Sequence, residues 1–338
     1  MWLTCLVVAS CRPPGPARTL RQIVAVGDSY ASGQGAPNKP INPWLLRCEP
    51  TWDDKWCNRS ENAAAKRALP MLEQQFPADH FELTSYACSG ASIERGLLGP
   101  YRGTQPPDAT SMLDPQVTAV RNFAQKNRID ALVVTIGGND ILFEYIVAAC
   151  IFGGDCRIID PVVDDRLRAL PARLEKVADA LAQIQIPPER IFLLEYPDPT
   201  HSTSGAYCDH QPFPDPLSGI AGCEARWASE CVLPRLNHEL CRTAQLHGWN
   251  YVSGIAPAFD AHGWCALDHW INTIDESVVR QGHFRGGVHP NKNGYDAIAK
   301  PLAAAIAARL AGGAPAPLAC PPVPAACADR CATAPAAR

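Results

Sequence analysis

No apolar run in this 338-residue chain reaches the roughly 18 to 20 residues that a membrane-spanning helix needs, so no span is predicted. No run of Lys and Arg is long enough to track a phosphate backbone. The 30 basic residues are outnumbered by 34 acidic ones, for a formal charge of −4, which argues against nucleic acid as a partner. Neither a CxxC pair nor a CxxC…HxxxH array occurs, so zinc has no support and no metal or organic cofactor is expected. There is also no internal repeat. What the chain does have is 47% hydrophobic residues, enough for a full core and one principal domain.

Fifteen cysteines, mostly in Pro/Gly/Asn/Asp-rich stretches, point to disulfides and an oxidising compartment, hence a secreted or cell-envelope location. Spacing suggests local bridges: Cys48 with Cys57, Cys150 with Cys156, and pairs among Cys208, Cys223, Cys231, Cys241 and Cys265. Residues 2–10 form a short apolar segment whose end, Val8-Ala9-Ser10-Cys11, resembles a bacterial lipoprotein signal, although a basic leader is missing. Lipidation of Cys11 would attach the chain to a membrane. With Cys5 removed and Cys11 lipidated the remaining count is odd, and Cys88 is the candidate free thiol.

The expected division is residues 1–21 as signal-like segment and linker, 22–311 as the principal domain, and 312–338 as an Ala/Pro/Cys-rich tail. Short apolar runs at 22–26, 81–86, 131–136 and 190–194, with a weaker one at 251–252, read as buried parallel strands. Helical patterns fall between and after them, at 61–75, 115–126, 164–185, 226–247 and 293–310. Such alternation predicts an α/β fold, a three-layer αβα sandwich around a mainly parallel five-stranded sheet. Two irregular insertions, at about 141–160 and 197–225, follow strand ends and are placed to wall a ligand site or to lie as surface loops.

In open parallel sheets, ligands sit beyond the carboxyl ends of strands. After the first strand comes Gly27-Asp28-Ser29-Tyr30-Ala31-Ser32-Gly33, a tight turn that would expose the Ser29 hydroxyl and its own N–H. After the second comes Ala87-Cys88-Ser89-Gly90-Ala91-Ser92, where Gly90 would let backbone approach a substrate oxygen. After the third comes Gly137-Gly138-Asn139-Asp140, where Asn139 offers an amide donor. Gly287-Val288-His289-Pro290-Asn291 precedes the last helix. Asp28 and Asp140 are read as fixing their turns through backbone hydrogen bonds rather than moving protons.

The ordered set GDSYASG, ACSGAS, GGND and VHPN is similar to the SGNH (GDSL-type) hydrolase superfamily, and Cys57-Asn58-Arg59-Ser60 resembles secreted actinobacterial members. The resemblance covers roughly residues 22 to 310. It implies a flavodoxin-like sheet and a serine esterase or lipase cleaving a small-molecule or lipid ester as a monomer. Ser29 would be nucleophile, His289 general base, and the Ser29 N–H, Gly90 N–H and Asn139 side chain the oxyanion donors. A histidine base predicts activity falling below about pH 6.5. One departure stands out: the family's Asp three residues before the His is Gly286 here. The Gly286 carbonyl is then expected to orient His289, with Asp268 or Asp275 as second choice. Alternatives are a carbohydrate O-acetyl esterase or acyltransferase on this fold, and a non-catalytic ligand-binding surface lipoprotein.

Overall fold

The computed structural model describes residues 18–152, 154–210, 215–313 and 319–323. The leader with Cys11 lies outside them, as do Cys327 and Cys331. Five strands form one parallel sheet: β1 (Thr19–Gly27), β2 (Asp79–Ser85), β3 (Ala131–Thr135), β4 (Ile191–Leu194) and β5 (Asn250–Val252). Their order is β2-β1-β3-β4-β5. The three strands from β3 to β5 are buried throughout, because helices cover both faces, and that burial is why they read as unbroken apolar runs.

The covering helices are α1 (Ser29–Ser32), α2 (Ala64–Gln75), α3 (Gln116–Ala124), α4 (Phe143–Phe152), α5 (Asp160–Ala182), α6 (Gly222–Trp227), α7 (Leu233–His247), α8 (Ile255–Ala258), α9 (Ile274–Gln281) and α10 (Lys292–Leu310). Helices α2 and α10 pack together as one layer, α5 and α7 as the other. The predicted three-layer architecture is the one found.

The first insertion is not irregular. Residues 143–152 form α4, and Cys156–Ile159 is a 3-10 turn leading into α5. Phe-Glu-Tyr-Ile-Val-Ala-Ala-Cys-Ile-Phe is apolar almost all round, so it carries no helical stripe to detect. The helix expected at 226–247 starts at Gly222 and changes to a π turn over Ala228–Val232 just ahead of Pro234. Proline has no N–H to continue the α ladder and crowds the preceding turn, which accounts for the change there.

Cys150–Cys156 forms as expected, and Cys208–Cys265 is drawn from the expected group. Two expectations fail. Cys57 bonds Cys88, which is therefore no free thiol, while Cys48 is exposed and forms no bridge among the described residues. Cys241 of α7 bonds Cys320 in the tail. Chain spacing favoured neighbours, whereas the sheet brings the loop after β2 beside the loop before α2.

Candidate active site

Every functional candidate sits beyond the carboxyl edge of the sheet. Gly27 ends β1 with φ +135°, and a Cβ there would lie 1.9 Å from the Thr135 carbonyl oxygen, so only glycine lets β1 and β3 close up here. The Gln116 side chain locks the turn, accepting from the Gly27 N–H (2.7 Å) and donating to its carbonyl (2.9 Å). Asp28 caps α1 by accepting from the Tyr30 N–H at 2.9 Å. Ser29 is thereby presented at the first position of a single helical turn.

His289, 260 positions away, meets it: Nε2 lies 2.7 Å from Ser29 Oγ. The ring is 4% exposed and packs against Tyr30 and Phe143. Its Nδ1 faces the Gly287 carbonyl at 2.9 Å. A carbonyl can only accept, so Nδ1 carries the proton and Nε2 keeps its lone pair for the serine hydroxyl. The backbone that achieves this is strained: Val288 has φ +57°, a region β-branched residues rarely enter, at a cost of about 1–3 kcal/mol. Hydrogen bonds hold it there. Tyr30 Oη donates to the Val288 carbonyl (2.7 Å), Val288 N–H to Asn272 (2.9 Å), and Asn272 N–H to the His289 carbonyl (2.9 Å).

The expected orienting group is thus off by one residue. The Gly286 carbonyl instead accepts from the His289 backbone N–H at 3.4 Å. Asp268 and Asp275 engage elsewhere, through the Asp268 carbonyl to His262 and the Asp275 N–H to Asp215. A Cβ on Gly286 would fall 2.1 Å from Gln281 Nε2, so the Gln281 side chain fills the space a side chain at 286 would enter. Gln281 is 2% exposed, and neither its amide oxygen nor its amide nitrogen finds a partner among the described residues.

The donor loops converge on the same edge. Gly90 has φ +78°, and a Cβ would strike the Tyr101 hydroxyl at 2.4 Å. Cys57–Cys88 and the Ser89 N–H bond to the Cys57 carbonyl (3.1 Å) tether this loop. Neither the Ser29 nor the Gly90 N–H meets an acceptor among the described residues. Asn139 donates one amide hydrogen to the Ala91 carbonyl (2.9 Å), and the other meets no acceptor among the described residues.

Beneath the serine lies a network that sequence reasoning missed. Tyr196, two residues past β4, donates to Asp28 Oδ2 at 2.5 Å and accepts from the Gly138 N–H at 3.1 Å, joining the serine turn to the Asn139 turn. Burial lifts the Asp28 pKa to about 7, against the pull of the Tyr196 hydroxyl and the Tyr30 N–H. Asp140 is lifted to about 6 by burial; it accepts from the Ile93 N–H (3.0 Å), and Arg173 stands 3.4 Å away. Burial pulls the His289 ring down to about 4, opposed by the Gly287 carbonyl, with His283 adding a small push. That lies below the ordinary histidine value near 6.5 from which the acid limb was expected.

A mainly apolar groove of about 430 Å³ opens beside His289, walled by α4 (Phe143, Val147, Ile151, Phe152), Pro216, Ile274 and Phe284, with Glu144 and Arg285 as its charged lining residues. Phe143 and Val147 also line a narrow apolar cavity of about 90 Å³ behind Tyr30, completed by Pro197, Leu217 and Trp264. Both insertions thus wall the space beside the Ser29–His289 pair.

The sequence profile of the GDSL-like Lipase/Acylhydrolase family matches residues 25–297. The chain belongs to that family. This GDSL-like hydrolase is 24% identical over 293 residues to a lipase of Streptomyces rimosus, covering 85% of its own length and 87% of the relative's. The crystal structure of the extracellular lipase from Streptomyces rimosus shares its fold, with a TM-score of 0.57, 21% identity, and coverage of 84% and 99% of the two chains. That of phospholipase A1 from Streptomyces albidoflavus does so with a TM-score of 0.52, 19% identity, and 84% and 98% coverage. The family and the related lipase make the GDSL-like hydrolase a carboxylic ester hydrolase of lipase or esterase type.

Proposed function

We propose that the chain cleaves carboxylic esters of fatty acids through an acyl-enzyme on Ser29, outside the reducing cytosol. The observation that carries this reading is the 2.7 Å approach of His289 Nε2 to Ser29 Oγ with Nδ1 engaged by a carbonyl. Nε2 takes the hydroxyl proton as Oγ attacks the ester carbon. The developing oxyanion is received by the Ser29 N–H, the Gly90 N–H and the second amide hydrogen of Asn139. Collapse breaks the bond to the alkoxy oxygen, which leaves with the proton from Nε2. Water then repeats the sequence on the acyl-enzyme and releases the acid. Ser29 and His289 act as a dyad, with the Gly287 carbonyl holding the tautomer that a carboxylate holds in a triad.

The groove favours an acyl ester over an acetylated carbohydrate, because its wall along α4 is apolar except for Glu144. From Phe143 to Phe152 the helix advances roughly 13 Å, at about 1.5 Å per residue. An extended alkyl chain advances about 1.2 Å per bond, as extended backbone does, so about ten carbons match that wall. A p-nitrophenyl ester series tests this. Wild type is expected to peak at medium chain length and Ser29→Ala to be inactive throughout; a strict preference for acetate would instead support the carbohydrate reading.

A further inference from the structure

Trp44, Leu45 and Leu46 stand side by side in solvent, at 95%, 65% and 92% exposure. Three consecutive large apolar side chains are seldom left so open without a partner. They cap a loop closed by its own hydrogen bonds. Asn42 and Arg47 bridge its base, the Asn42 side chain caps a 3-10 turn over Pro43–Leu45, and Leu46 donates to the Pro43 carbonyl. The N–H groups of Asn42, Leu45, Leu46 and Arg47 are all bonded within the loop, and Pro43 has none. Of the tip's backbone donors only the Trp44 N–H lacks an acceptor among the described residues. A loop that satisfies its own donors can enter the headgroup region at reduced polar cost, since water there still reaches its tip carbonyls.

The charges at its foot suit an anionic surface. Lys39 and Arg47 flank the tip, and neither forms an ion pair among the described residues; Arg47 donates to the Pro40 carbonyl. Of the acids that follow in sequence, Glu49 pairs with Lys55 and Asp54 with Arg59, while Asp53 accepts from the Asn38 amide. The base of the loop is joined to the helix that leads to the groove. The Ile41 N–H donates to the Arg280 carbonyl at the far end of α9, whose first residue, Ile274, lines the groove about 9 Å away at 1.5 Å per residue. Between them Val278 and Val279 are exposed, and beyond α9 so is Phe284, which lines the groove too.

We propose that Trp44, Leu45 and Leu46 insert into the headgroup region of an anionic phospholipid bilayer, docking the chain with its groove at the lipid surface. Tryptophan belongs at that depth, and paired cations beside an apolar tip add attraction to anionic lipid. Docking asks nothing of Ser29, so it stands apart from the ester-hydrolysis reading. The test is cosedimentation of the full chain, carrying Ser29→Ala so that lipid stays intact, with phosphatidylcholine vesicles containing a minority of phosphatidylglycerol. Binding is expected. Trp44→Ser with Leu45→Ser and Leu46→Ser should weaken it at least about a hundredfold, since burying one such side chain is worth roughly tenfold or more. Lys39→Gln with Arg47→Gln should weaken it by about fivefold per charge and in a salt-dependent way. Unchanged thermal unfolding of the triple-serine variant guards against misfolding. Equal binding by that variant, no binding by the parent, or a parent dimer in sedimentation velocity that the variant abolishes would each overturn the proposal. Wild-type protein that binds the vesicles normally but cleaves no ester would indict only the catalytic reading.

Discussion

Placing a carboxylate at position 286 should move the acid limb of the reaction in a calculable way. In the native site the buried ring of His289 is held near a pKa of about 4, below the ordinary histidine value near 6.5, a difference of about 3 kcal/mol between its two protonation states. Only neutral imidazole can accept the serine proton, so kcat/KM should fall as pH drops through about 4, with the ring still competent at pH 5. Gly286→Asp alone forces its Cβ to within 2.1 Å of Gln281 Nε2 inside an enclosed space, and overpacking of this kind costs about 1–3 kcal/mol. Gln281→Ala removes the obstruction along with two buried amide atoms that lack partners among the described residues. In the double variant the new carboxylate should raise the ring by about one to three units, as an opposite charge at close range does, shifting the limb to about pH 5 to 7. The assay is kcat/KM against pH on a soluble short-chain ester, which reports the free enzyme's ionisations. A wild-type limb near 6.5 would refute the desolvation argument, and an unmoved limb in the double variant would show that position 286 does not face the ring.

Asn139→Ala should lower kcat roughly 10² to 10³-fold with KM little changed, since the lost donor acts on the oxyanion; a loss confined to KM would contradict that role. Tyr196→Phe should destabilise the fold, more so at alkaline than at acid pH. Asp28 has a folded pKa near 7, above its unfolded value of 3.8, so native stability falls as pH rises from about 4 to about 7 and then levels off. Removing the Tyr196 hydroxyl takes away a bond that favours the carboxylate, by about 1.5–3 kcal/mol, which deepens that fall and extends it upward. Urea unfolding at pH 5 and pH 9 checks this, and an equal destabilisation at both would count against it.

Much of this architecture is legible in the sequence because a covered parallel sheet writes its strands as short, wholly apolar runs. The rule that ligands gather past strand ends then singles out the turns at Ser29, Gly90 and Asn139. The same rule pointed at Glu195-Tyr196 after the fourth strand, and Tyr196 could have been found by applying it there. Other features had no local signal. The shift from Gly286 to Gly287 depends on Val288 adopting φ +57°, which its β-branched side chain argues against and only the contacts of Tyr30 and Asn272 sustain. Cys57–Cys88 joins residues 31 apart, and spacing cannot reveal a contact made by tertiary structure. Helix α4 escaped because uniform apolarity erases the period that marks a helix.

The central claim is that Ser29 Oγ, deprotonated by His289, is the atom that attacks the ester. Treating the intact protein with a fluorophosphonate and mapping the adduct by mass spectrometry tests it directly. The account predicts one phosphonyl group on the peptide containing Ser29, with labelling abolished in Ser29→Ala and strongly slowed in His289→Ala. A folded, ester-cleaving protein that takes the label on another residue, or labels equally fast without His289, would contradict it.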